Sequence, residues 1–246
     1  MKWVVYIFSL LWRLWFFVVF ILIFLLFIPS LFFFTAIIKN QRYICIQTKY
    51  WSKLTLFFSG IIIKAECEEA LSNKEKYIIC PNHTSTLDIP LVLSVMPISL
   101  MYMGKSELAK IPLFGYFYRK NTILVNRLKI KDTYAAFIKA KEKINQGLNV
   151  CIFPEGGIPN KKIFLKKFKN GAFRLAIEND IKIVPVTIAD NRFLFPKEYY
   201  KGYPGVARIK IHKPISKNIL KEKTPDELNN ITYNIIFEQL KKYEGR

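Results

Sequence analysis

The sequence predicts an α/β fold, a mostly parallel sheet flanked by helices, with an N-terminal membrane-embedded helical segment ahead of it. Three observations carry this. Residues 14–38 hold no charged side chain. From residue 75 onward, short runs of branched apolar residues alternate with helix-like runs, the pattern of strands joined by crossover helices. The side chains best suited to chemistry directly follow the strand-like runs, where parallel sheets form their sites.

Residues 1–38 contain no acid and only two bases, Lys2 and Arg13. The uncharged run LWFFVVFILIFLLFIPSLFFFTAII exceeds the roughly 20 residues needed to cross a hydrocarbon core. It is too long for a signal peptide, and no small-residue cleavage site follows it. Pro29 removes a helix hydrogen bond, so a break is expected near it. A single tilted span and a helical hairpin dipping into one leaflet both remain open. Lys39, Arg42 and Lys49 follow the segment, which places the remainder on the cytoplasmic face in either arrangement. Residues 39–74 read as a connecting region, and residues 75–246 as the α/β domain.

Within that domain KYIIC (76–80), ILV (123–125), NVCIF (149–153) and IKIVPVTIA (181–189) are short, rich in branched residues and followed by loop signals. VARIKIH (206–212) alternates, as a half-exposed strand does. DTYAAFIKAKEKINQG opens on an acid and closes on Gly147, and NGAFRLAIEND forms a second helix-like run. The run TPDELNNITYNIIFEQLKKYEG offers Thr224 as N-cap, Pro225 in the first turn and Glu227 as the reciprocal acid of a capping box. Its terminal lysines suit the helix dipole.

The chain has 246 residues, 52% of them hydrophobic, with a net charge of +20. That apolar content excludes disorder, and the charge calls for an anionic partner. The basic, aromatic-interleaved run NKKIFLKKFKNGAFR (160–174) suits anionic headgroups at about 1 kcal/mol per base, or the phosphates of an acidic carrier. Nucleic acid would satisfy the charge as well, but no recognition motif is present and the apolar segment opposes it, so none is expected. Cys45, Cys67, Cys80 and Cys151 show no close spacing and read as buried free thiols of a reducing compartment.

The stretch IICPNHTSTLDIPLVL places Asp88 five residues after His83, one of only two histidines. Five helical residues turn a side chain by about 500°, so the two share no helix face, and on one strand they point to opposite sides. They meet if His83 sits in a loop and Asp88 in the first turn of a helix, where Pro90 is tolerated. The carboxylate then fixes one imidazole nitrogen and leaves the other as a general base. The bland reading is a carboxylate that merely caps its helix. Cys80-x-x-His83 lacks a second ligand pair, so no metal is expected, and His212 reads as structural.

Four blocks occur in order: Asn82-His83 with Asp88, then GYFYRKNTILVNR ending in Arg127, then FPEGG at 153–157, then IVPV at 183–186. Together they resemble the glycerolipid acyltransferase family over about residues 75–190. The resemblance implies that His83 deprotonates a lipid hydroxyl that attacks an acyl thioester, with Asp88 orienting the ring and no covalent enzyme intermediate. It implies that Arg127 is an acceptor-phosphate ligand, that Glu155 and Gly156 form the acceptor-binding turn, and that Pro185 lies on the acyl-donor side. The resemblance also implies that Asn82, in the first block, is a substrate-binding residue, and Lys105 in GKSEL matches a family substrate-side lysine suited to a developing oxyanion. The expected partners are membrane lipids, a lysolipid acceptor, and acyl-CoA or acyl-carrier protein as donor substrate, with no cofactor. Where the family continues its third block with Thr-Arg-Ser, this chain has Gly157, Ile158 and Pro159. Lys161 and Lys162 can replace that arginine as point charges but not as a bidentate clamp. Lysophosphatidate is therefore the first acceptor and a lyso-aminolipid the second.

Overall fold

The structure, a computed structural model, describes residues 2–126, 129–160 and 163–245. Helix α1 (Lys2–Phe32) runs into a π-helical turn (Phe33–Ile38), then helix α2 (Gln41–Phe58) and strand β1 (Ile61–Cys67). Next come β2 (Tyr77–Pro81), α3 (Asp88–Val95), β3 (Leu100–Lys105), a 3-10 turn (Ser106–Lys110), α4 (Phe114–Asn121) and β4 (Thr122–Val125). Then follow α5 (Ile130–Asn145), β5 (Asn149–Cys151), α6 (Gly171–Glu178) and β6 (Lys182–Ile188). The chain closes with α7 (Asn191–Leu194), β7 (Gly205–Ile211), α8 (Lys217–Glu222) and α9 (Pro225–Glu244). Two compact units result. The first comprises Met1–Glu66, His83–Met96 and Ile188–Lys210; the second comprises Cys67–Asn82, Pro97–Thr187 and Ile211–Arg246.

In the second unit the strands lie in the order β6-β2-β5-β3-β4, and these pairings are parallel. Strand β2 is central. Ile78 stands opposite Ile183 on one side and Val150 on the other, and all five β2 residues are buried. Such continuous apolar strands are stable only when covered on their faces. Ala136, Ala140 and Ile144 of α5, spaced four apart on one helix face, join Ala172, Phe173 and Ala176 of α6 and Leu228, Ile236 and Leu240 of α9 in one core. That core includes Ile78, Met101, Ile123 and Val150 from the strands. Helix α9 has the capping box its sequence predicts: Thr224 N–H donates to Glu227 Oε2 at 2.8 Å, and Glu227 N–H donates to Thr224 Oγ1 at 3.3 Å. The Thr224 N–H bond holds the Glu227 carboxyl down from 4.5 to about 2. His212 is tied into this unit by Thr187 Oγ1 at 2.8 Å and Glu68 Oε1 at 3.3 Å.

In the first unit α1 passes through Pro29 without a break, contrary to the expectation from sequence. Proline removes one hydrogen bond, while the ladder bonds on either side persist. The regular winding yields only at Phe33, where the π-helical turn takes in extra residues. The chain then reverses through Lys39, at φ 54, and Asn40, whose side chain accepts the N–H groups of Arg42 and Tyr43 and starts α2. No hairpin therefore forms inside residues 1–38, and α1 packs instead against α2. Residues 39–74, expected as a connector, contain a helix and a strand. Trp12 Nε1 donates to Ser59 O at 2.9 Å and Trp15 Nε1 to Phe58 O at 2.8 Å, pinning α1 to the end of α2. The segment Trp3–Ile38 is long and apolar enough to cross a membrane, and its Trp3, Ile7, Leu11 and Leu26 side chains are exposed. Strands β1 and β7 are neighbours, with Gly205 N–H donating to Gly60 O at 3.1 Å.

All four cysteines are free thiols. Cys80 and Cys151 are buried, and burial pushes both thiols well up, which makes them inert packing residues. Cys67 is exposed, unlike the expectation for it.

Candidate active site

In the first unit, His83 follows β2 in a loop and Asp88 is the first residue of α3. The spacing of five that sequence singled out brings them together: His83 Nδ1 lies 2.9 Å from Asp88 Oδ2. The same oxygen accepts Thr84 N–H at 2.6 Å and Ser85 N–H at 2.9 Å. The second oxygen, Oδ1, accepts Asn191 Nδ2 at 2.7 Å. Asp88 is fully buried and His83 is 5% exposed. A buried carboxylate with four donors is a compensated charge rather than an orphaned one. The helix N-cap is Leu87, with no side-chain cap bond; the Asp88 carboxylate instead orients the imidazole and, through its bonds to residues 84 and 85, shapes the loop that carries the ring. A carboxylate only accepts, so Nδ1 carries the proton in the neutral ring and Nε2 holds the lone pair.

Ser85 ties this loop to the segment after β6. Its Oγ donates to Phe195 O at 2.6 Å and accepts Leu87 N–H at 3.1 Å. Asn191 and Ser85 were missed by reasoning from sequence. A signal for Asn191 was available in its position: it opens α7 directly after the strand IKIVPVTIA, beyond the carboxyl end of a parallel strand, where such sheets expose polar groups. Two further polar atoms, Asn191 Oδ1 and Thr84 Oγ1, are buried with no hydrogen-bond partner among the described residues.

In the second unit, among the described residues, Asn82, Lys105 and Glu155 end or follow parallel strands. Asn82 is fully buried, with its N–H donating to Val186 O at 3.3 Å. Lys105 is the last residue of β3, opposite Val125, and is exposed beside Glu107 at 3.7 Å. Arg127 lies two positions past β4, and it, Lys161 and Lys162 fall outside the described residues. Pro185 does not end its strand: it sits mid-β6 opposite Cys80, and its carbonyl accepts His212 N–H at 3.0 Å.

The FPEGG stretch forms a turn after β5, with Gly156 at φ 71, a conformation that glycine adopts without strain. Glu155 is fully buried and accepts Lys166 N–H at 3.2 Å, which ties the segment at Lys166 to the turn. Burial and the nearby Glu155 raise the Tyr233 hydroxyl above its ordinary value. Lys169 is a third residue that sequence reasoning passed over. Its N–H donates to Pro154 O at 2.9 Å, which folds the side chain over the turn. A Cβ on Gly156 would lie 2.9 Å from Lys169 Cε and 3.2 Å from its Nζ. Gly156 and Lys169 border a cavity of about 250 Å³ whose apolar walls include Met103, Val125, Phe137 and Ile152.

Comparison with known proteins adds an independent line. The family described as Acyltransferase matches residues 62–189. The 1-acyl-sn-glycerol-3-phosphate acyltransferase of Saccharomyces cerevisiae is 32% identical over 168 residues, covering 67% of this chain and 55% of that protein. The protein of the same name from Borreliella burgdorferi is 27% identical over 189 residues, covering 76% of this chain and 75% of the other. The chain thus spans little more than half the length of the yeast relative. The crystal structure of the 1-acyl-sn-glycerophosphate (LPA) acyltransferase PlsC from Thermotoga maritima superposes with a TM-score of 0.79 at 22% identity. That likeness, covering 100% of this chain and 99% of the other, is one of fold.

Proposed function

Because the chain belongs to the acyltransferase family, we propose that it moves a fatty acyl group from an acyl thioester to the hydroxyl of 1-acylglycerol-3-phosphate, giving phosphatidate. The observation that carries this is the His83–Asp88 pair, with the carboxylate fixed by four donors. The acceptor hydroxyl gives its proton to His83 Nε2 while its oxygen attacks the thioester carbonyl. Asp88 stabilises the imidazolium as the proton arrives. The tetrahedral intermediate then expels the thiolate, which takes the proton back from the ring. No enzyme nucleophile is needed, in keeping with the inert Cys80 and Cys151. Lys105 is assigned to the developing oxyanion.

Arg127, Lys161 and Lys162 are assigned to the acceptor phosphate, with Glu155 and Gly156 shaping the turn beside it. Lys169 joins them as a cation held over that turn. Asn82 is assigned to substrate binding, and Pro185 is placed on the donor side. The donor is acyl-CoA or acyl-carrier protein, whose acidic surfaces suit the net charge of +20. The apolar α1 embeds the protein in a membrane, with the catalytic residues on the cytoplasmic face. This reading is supported by the uncharged length of residues 14–38 and the bases Lys39, Arg42 and Lys49 after it.

A lyso-aminolipid is the second reading for the acceptor, favoured by one feature: Gly157-Ile158-Pro159 stands where the family has a phosphate-binding arginine. Assay of the full chain with acyl thioester and both acceptors in competition tests the proposal. The expected outcome is acylation of lysophosphatidate that disappears in His83→Ala, and preference for the aminolipid reverses the choice of acceptor. Undiminished transfer by a folded His83→Ala protein removes the mechanism altogether.

A further inference from the structure

Arg13 is the one charge within the apolar length of α1 beyond Lys2, and it is 5% exposed. Its Nε donates to Lys201 O at 2.9 Å and its Nη2 to Pro196 O. The guanidinium carbon lies 4.3 Å from the centre of the Phe195 ring, which also packs on Phe16 at 4.7 Å and Trp12 at 5.8 Å. A planar cation that stacks on a ring while donating to two carbonyls uses geometry that lysine lacks.

The segment so held leads to the candidate catalytic pair by two routes. Phe195 O accepts the Ser85 hydroxyl at 2.6 Å, and Ser85 N–H is one of the donors on Asp88 Oδ2. Phe195 N–H donates to Asn191 O at 2.9 Å, and the Asn191 side chain donates to Asp88 Oδ1 at 2.7 Å. At the other end of the segment, Asp190 is locked by Arg208, with Nη2 to Oδ1 at 2.6 Å and Nε to Oδ2 at 2.9 Å. The backbone from 190 to 201 is therefore clamped by one arginine at each end, and one of the two stands on α1.

We infer that Arg13 is a positioning residue for acyl transfer: through Phe195, Ser85 and Asn191 it sets the orientation of the Asp88 carboxylate and hence of the His83 ring. The apolar helix is then part of the catalytic apparatus as well as an anchor. This rests on the acyl-transfer reading of His83 and Asp88, and its test separates the two.

The test uses the full chain in detergent micelles, with kcat and KM measured for Arg13→Met, Arg13→Lys, Ser85→Ala, the Arg13→Met/Ser85→Ala double variant and His83→Ala. Arg13→Met should lower kcat at least tenfold with KM for the acceptor changed less than twofold, and Arg13→Lys should fall between it and wild type. The double variant should be no slower than the worse single one, because both act through Phe195. Wild-type kcat in Arg13→Met, or fully multiplicative losses in the double variant, overturns the inference while an inactive His83→Ala leaves the mechanism standing. An active His83→Ala overturns both. If Arg13→Met fails to fold, Arg13→Lys decides: unchanged kcat refutes the positioning role, and a reduced kcat at constant KM supports it.

Discussion

Asp88→Asn is the sharpest probe of the candidate site, because the geometry says what the amide can and cannot replace. Three donors converge on Oδ2, from His83, Thr84 and Ser85, so the amide oxygen must occupy that position. The new NH2 then faces Asn191 Nδ2, a clash of donors. Asn191 Oδ1 has no partner among the described residues, so a flip of the Asn191 amide restores the hydrogen bond and the fold survives. What cannot be restored is the charge. With a 2.9 Å contact the charge centres sit about 4 Å apart, where an effective dielectric of about 20 gives about 4 kcal/mol of attraction. That attraction exists only once the ring is protonated, so its loss falls on the transition state, about a thousandfold in kcat. KM should stay within about threefold. Steady-state acylation of lysophosphatidate gives both constants, and circular dichroism with thermal melting gives the fold. A folded variant that loses less than tenfold in kcat would refute the role assigned to the carboxylate.

Lys169→Met should raise KM for lysophosphatidate about tenfold, the worth of one charge-assisted hydrogen bond near 1.5 kcal/mol, with kcat little changed. An equal rise for an acceptor lacking the phosphate would show that Lys169 serves packing rather than charge. Glu227 titrates in the folded chain near 2 instead of 4.5, so its ionised form stabilises α9. That contribution is complete above about 4.5 and fades as the pH falls through 2. The difference in thermal midpoint between wild type and Glu227→Gln should close over that window, and a gap that persists in acid contradicts the capping assignment.

What sequence disclosed and what it withheld divide along the range of the interactions. The α9 capping box was legible because Thr224 and Glu227 are three residues apart and act on each other's backbone. The His83–Asp88 pairing was legible for the same reason, since a loop and one helical turn suffice to bring them together. The central strands were legible from their branched apolar runs. Strand β3, LMYMGK, escaped because it has no β-branched residue, and α2 and β1 escaped inside the region taken as a connector. Pro29 misled because a lost hydrogen bond is local, whereas the path of α1 is fixed by the Trp12 and Trp15 bonds to the end of α2. For Asn191 only the position past a strand was legible: its contact with Asp88 spans 103 positions, and no local pattern encodes that partner. Lys169 acquires meaning only when the chain folds back over Gly156.

The 103-position separation between Asp88 and Asn191 also has a bearing on the order of events at the ribosome. Chains emerge from the N-terminus, so the apolar α1 and the His83 loop are made long before the residues that complete them. The central strand β2 likewise waits for β6, its partner from Tyr77↔Lys182 to Pro81↔Val186. During that interval the histidine exists without the amide on Asp88 and without the Phe195 carbonyl that steadies Ser85. A nascent or prematurely terminated chain would therefore reach a lipid surface with its greasy segment intact and its proton-transfer machinery unassembled. Until residues 191–195 are made, the chain lacks both the Asn191 amide that meets Asp88 Oδ1 and the Phe195 carbonyl that accepts the Ser85 hydroxyl.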